Sequence, residues 1–136
     1  MASEAFSAIS PLLQAANVDL LFCGHVHYYL RNMPFDPMTN TVDSASVSAD
    51  GNTYTDPRFM TTIVSGASGD IEGDDACGSL VAPSLRCTQN YGWGIFSPLN
   101  ATHAVWNFHS VASDGRGPAD FSDSLTNVQS AHARFL

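Results

Sequence analysis

Two histidines set two residues apart, in Gly24-His25-Val26-His27, have the type and spacing that suit metal chemistry. In an extended chain, positions i and i+2 lie on one side, roughly 6.5 Å apart. Paired catalytic metals stand about 3.5–4 Å apart, so two imidazoles at that separation can reach inward and hold one ion each. Gly24 is expected to let the chain leave a strand sharply and to admit close approach to its backbone. Val26 points the other way, where a packed sheet accepts a β-branched residue. A His-x-His pair also occurs on solvated strands or as satisfied core residues. The setting favours chemistry: Val18-Asp19-Leu20-Leu21-Phe22-Cys23, just before it, reads as a buried parallel strand. Ligands in open α/β sheets gather at the carboxyl ends of such strands.

The elements that must position this pair follow from the pattern around it. Residues 3–16 read as helix, with Phe6, Ile9, Leu13 and Ala16 on one face. Pro11 either opens a second short helix capped by Ser10 or bends a single one. Asn17 ends the helix, and helix followed by apolar strand indicates an α/β layer. Residues 28–34 leave the site as a loop or short strand. Residues 36–58 read as loop, from the turn signals Asp36-Pro37, Asp50-Gly51-Asn52 and Asp56-Pro57. Residues 59–65 are a second strand, rich in β-formers. Residues 91–99 and 102–109 form a hairpin, with Ala104, Trp106 and Phe108 on one face and His103, Val105, Asn107 and His109 on the other. A short strand is expected around 125–128. His103 reads as a structural hydrogen-bonding residue, His109 and His132 as surface residues. The acidic cluster Asp70, Glu72, Asp74 and Asp75 lacks the regular ligand spacing of a calcium loop.

At 136 residues the chain is one domain or part of one. Its formal charge is −8 and all its cations are arginine, which argues against nucleic acid or anionic membrane as main partner. No run approaches the length of a membrane span. Cys23 reads as a small hydrophobe inside its strand. Cys77 and Cys87 bracket a polar loop and either form a disulfide, which implies an oxidising compartment, or remain two free thiols. Asn100-Ala101-Thr102 is a glycosylation acceptor pattern. The first residues have no basic start and no apolar core, so no signal peptide is read in this chain.

Four segments together resemble the metallophosphatase (calcineurin-like phosphoesterase) superfamily, and within it the C-terminal portion of purple acid phosphatases. They are the stretch from Asn17 to His27 followed by Tyr29 and Arg31, then Gly66-Ala67-Ser68-Gly69-Asp70-Ile71-Glu72-Gly73, then Tyr91-Gly92-Trp93-Gly94. The fourth is Asn100-Ala101-Thr102-His103 with its aromatic continuation and Asp114-Gly115. The glutamate common between the tyrosine and arginine after the histidine motif is Leu30 here.

The resemblance implies an α/β (α+β) fold: part of an α/β/β/α sandwich, mostly β in its C-terminal half, with residues 1–136 as the C-terminal part of a single domain. It implies a hydrolase: an acid phosphatase acting on phosphate monoesters through a dinuclear metal centre, iron with iron, zinc or manganese. His25 would ligate one metal and His27 the other, and Tyr29 would lie near the site. A metal-bound hydroxide would attack phosphorus in line. The upstream motifs that supply a bridging carboxylate, a further aspartate, an Asn-His pair and another histidine are not among these residues. The chain alone is therefore expected to be inactive, with the missing half of the domain as its partner and a secreted or vacuolar/lysosomal location for the glycosylated whole. The alternatives are a non-catalytic fragment that binds metal weakly and an extracellular interaction module.

Overall fold

A computed structural model describes residues 4–69, 73–112 and 118–130. Asp70, Glu72, Asp114, Gly115 and His132 lie outside them. The elements are helix α1 (Glu4–Ala15), strands β1 (Leu20–Cys23), β2 (Tyr29–Asn32), β3 (Phe35–Asp36) and β4 (Thr41–Val42), and a 3-10 turn at Ser44–Ser46. Then come β5 (Thr53–Thr55), β6 (Thr61–Ser65), β7 (Ser84–Thr88), β8 (Gly92–Pro98), β9 (His103–Val111) and β10 (Pro118–Val128). Among the described residues they form two four-stranded sheets, ordered β1-β6-β2-β7 and β5-β10-β9-β8, and the small β3-β4 pair. This is a mixed α/β fold made mostly of strands.

Helix α1 runs continuously through Pro11. Its end is a Schellman motif: Asn17 takes a left-handed φ of 54°, its N–H reaches the Gln14 carbonyl, and the Val18 N–H reaches that of Leu13. On the expected apolar face Leu13 is half-buried, but Ile9 and Ala16 are exposed, while Ser10 is buried. Strand β1 pairs in parallel with β6, from Leu20 beside Thr61 to Cys23 beside Val64. It is an edge strand here, so burial fades along it, and Cys23 is exposed rather than enclosed. The stretch 36–58 is more ordered than its turn residues suggest: it holds β3, β4 and β5, with Tyr54 fully buried. Strand β10 is longer than the expected 125–128, and pairs antiparallel with β9 as well as in parallel with β5.

The two sheets meet over Leu20, Tyr29, Tyr54, Ile63, Trp106, Phe108 and Leu125. Ala104, Trp106 and Phe108 are buried on one face of β9, as alternation requires. Tyr29 stacks on Phe108 with ring centroids 4.0 Å apart. Strand β8 can lie over this layer because Gly94 has no side chain. A Cβ there would sit 1.8 Å from the Trp106 ring.

A buried ion pair ties the sheets together. Arg31 on β2 is completely buried. Its Nε and Nη2 donate to the two carboxylate oxygens of Asp123 on β10, at 2.6 Å each. Its Nη1 donates to the Gly51 carbonyl and the Tyr54 hydroxyl. Tyr29 donates its hydroxyl hydrogen to Asp123 at 2.6 Å and accepts one from the Trp106 indole at 3.2 Å. Burial alone would lower the Arg31 pKa, but its bonds to Asp123, together with the neighbouring Tyr54 and Tyr29, more than offset this and the net shift is upward.

Removing one partner of such a pair leaves an uncompensated charge in the core. Arg31→Met is expected to lower unfolding free energy by about 3–5 kcal/mol, read as a shift in the urea midpoint. A midpoint unchanged from the parent chain would show that Asp123 finds another partner. Burial, then Asp123, pushes the Tyr29 pKa far up, and burial also raises that of Tyr54. Both groups stay protonated in the folded chain but ionise near pH 10 when unfolded, so their contribution is full below about pH 10 and falls as pH rises past it. Alkaline titration followed by tyrosinate absorbance should show two of the four tyrosines ionising only as the chain unfolds.

Candidate metal-ligand turn

The histidine motif is an arch. Strand β1 flanks β6 on one side and β2 flanks it on the other, antiparallel, with Tyr29 beside Ser65. Residues 24–28 therefore cross over the end of β6 to join them. The extended geometry expected for His25 and His27 is not adopted. The segment bends, and His25 takes a left-handed φ of 76°, an uncommon conformation for a residue with a Cβ.

The close approach expected at Gly24 is found elsewhere. A Cβ on Gly24 meets nothing within 4 Å, whereas one on Gly66 would lie 2.0 Å from the Val26 carbonyl oxygen. Gly66 is the residue directly under the arch, where β6 ends, and its N–H donates to the Tyr28 carbonyl. Thus Gly66 and the histidine motif are sterically matched.

His25 is exposed and His27 half-buried, and both line an open hollow of about 360 Å³ with Val26, Gly73, Asp74 and Asp75. His27 is held on three sides. Its backbone N–H donates to the Asp75 carboxylate at 2.8 Å, its carbonyl accepts from the Asp75 N–H at 3.0 Å, and its ring Nδ1 lies 3.1 Å from the Gly73 carbonyl oxygen. The two imidazoles suit a first-row metal ion as ligands. They do not make a complete site: among the described residues no three His, Cys, Asp or Glu side chains cluster to hold an ion.

The remaining candidates lie apart from this hollow. Tyr29 turns into the core, where its hydroxyl serves Asp123. Cys77 and Cys87 form a disulfide that ties the loop after Asp75 to β7. Asn100 is exposed in the β8–β9 turn, its side-chain oxygen accepting from the backbone and hydroxyl of Thr102 and the backbone of His103. His103 Nδ1 lies 2.8 Å from the Thr102 hydroxyl, and His109 is exposed beside Trp93. Arg31 entered the sequence reading only as part of a motif, and Asp123 not at all. A buried acid inside an apolar alternation is the one signal that marks it. No helix among the described residues is long and apolar enough to cross a membrane.

Comparison with known proteins gives a consistent result. The family described as "Iron/zinc purple acid phosphatase-like protein C" matches residues 59–118. Purple acid phosphatase 18 of Arabidopsis thaliana is 32% identical over 128 residues, covering 91% of this chain and 26% of that protein. The structure of purple acid phosphatase PPD1 from yellow lupin (Lupinus luteus) seeds superposes with a TM-score of 0.70 at 19% identity, over 90% of this chain and 20% of that one. The chain thus spans about a quarter of the curated relative it matches.

Replacing Gly66 with alanine forces the arch off the end of β6. Gly66→Ala is expected to cost about 1–3 kcal/mol of stability and to shift the backbone amide resonances of residues 25–28. Unchanged resonances there would mean that the arch does not rest on Gly66.

Proposed function

Because the chain belongs to the purple acid phosphatase-like metallophosphatases and carries their C-terminal portion, we propose that it supplies part of a dinuclear phosphoesterase centre. In this reading His25 ligates one ion and His27 the other, and residues 1–136 are one part of a single domain whose upstream part supplies the other ligands. The ions, iron with iron, zinc or manganese, would polarise the phosphate ester and supply a nucleophilic hydroxide at moderate pH. The substrate class is phosphate monoesters.

The observation that carries this reading is the arch itself. Two imidazoles border one open hollow at the ends of strands, and His27 is fixed there by Gly73 and Asp75. Two neutral imidazoles alone cannot offset the charge of two divalent ions, so without further carboxylates the chain would hold at most one ion, weakly. Bound cations would also reverse, locally, the repulsion between an anionic substrate and a chain of charge −8. The Cys77–Cys87 disulfide and the exposed sequon at Asn100 favour a secreted or vacuolar/lysosomal glycoprotein.

The test is a chimaera in which this chain replaces the matching stretch of the Arabidopsis relative, loaded with metal and assayed on an aryl phosphate monoester. Hydrolysis is expected, falling by more than about 100-fold in His25→Ala and in His27→Ala. A folded, metal-loaded chimaera that shows no hydrolysis, or one indifferent to both substitutions, overturns the reading.

A further inference from the structure

We propose that Asp75 is a positioning residue for His27, latching the arch so that the Gly73 carbonyl sets the tautomer of the His27 ring. The proposal rests on the metal reading of His27 for its purpose, but the latch itself is a matter of geometry.

A carbonyl oxygen can only accept a hydrogen bond. The 3.1 Å contact between His27 Nδ1 and the Gly73 oxygen therefore requires the proton to sit on Nδ1. In a neutral imidazole the lone pair then belongs to Nε2, which becomes the ligand atom. A ligating histidine is commonly oriented in this way, by a partner on its other nitrogen.

Gly73 is a weak anchor by itself. Its φ is 92°, a region open to glycine, and it sits in a segment without regular structure. Asp75, two residues on, ties this segment to the backbone beside the ring. Asp75 accepts the His27 N–H through its carboxylate and donates its own N–H to the His27 carbonyl, so both backbone groups of His27 are held by one residue. Two residues further, Cys77 is bonded to Cys87 on β7. Cys87 stands in register with Leu30 on β2, three residues after His27. The segment 73–77 is therefore closed onto the arch at Asp75 and onto the sheet at Cys77.

The carboxylate acts here as an acceptor, and its negative charge is secondary. Asp75→Asn keeps an acceptor oxygen and should preserve the latch, whereas Asp75→Ala removes it.

The experiment uses the 136-residue chain at mildly alkaline pH, where imidazole is neutral. The ring tautomer of His27 is read from long-range proton–nitrogen NMR correlations without metal, and zinc affinity is read by titration. The parent chain and Asp75→Asn should show the Nδ1–H tautomer. Asp75→Ala should show mixed tautomers and bind zinc about 10–100-fold more weakly. An Nε2–H tautomer in the parent chain overturns the proposal. So does an Asp75→Ala ring unchanged from the parent, and if that variant also binds zinc as the parent does, the metal reading survives. A tautomer that follows Asp75 upholds the latch even in a chain to which zinc does not bind, and the metal reading then stands or falls with hydrolysis by the chimaera.

Discussion

The pairing of Arg31 with Asp123 is the interaction on which the rest of this structure depends. A guanidinium with no exposure to water is tolerated only where its donors are met. Here they are met by a carboxylate on β10, a carbonyl in the turn before β5 and a phenol on β5. Strand β2 is thereby fixed against the second sheet at one defined register. Tyr29, two residues earlier, joins the same carboxylate and stacks on Phe108, so its position is set twice. His27 lies two residues before the start of this strand. The placement of the histidine turn is thus inherited from a buried charge network that begins two residues further along the chain.

The turn is shaped from below as well as from its ends. Because β1 and β2 flank the same strand, the chain between them must cross that strand's end, and Gly66 is where the crossing touches. This gives physical content to the joint occurrence of a Gly-His-Val-His motif and the later Gly66: the arch can lie over the end of β6 only where that residue has no side chain. The stretch Tyr91-Gly92-Trp93-Gly94 follows the same logic in the second sheet. There Gly92 and Gly94 make room for Phe108 and Trp106. The family's scattered motifs are contacts within one folded unit.

Much of this is legible in the sequence, and the rest is not, for definable reasons. The alternation in 102–109 reads directly as β9, because one face is apolar and the sheet has two faces. The apolar run before Gly24 reads as a parallel strand, and β1 does pair in parallel, although at an edge. Strand β10 is under-read because Asp123 and Asn127 occupy its buried face and break the apolar signal. The stretch 36–58 reads as loop because Tyr54 and the Gly51 carbonyl gain their order from Arg31, whose partners are remote in the chain. The bend at His25 escapes local reasoning too: it follows from the order β1-β6-β2, which no window of residues contains.

In the proposed function the arch presents two imidazoles to two ions. Anomalous X-ray scattering from crystals of the metal-loaded chimaera measures this most directly. The predicted result is two ions about 3.5–4 Å apart, one bonded to His25 and the other to His27 through its Nε2, at about 2.0–2.1 Å each. Two bound ions with either imidazole turned away from both would contradict it.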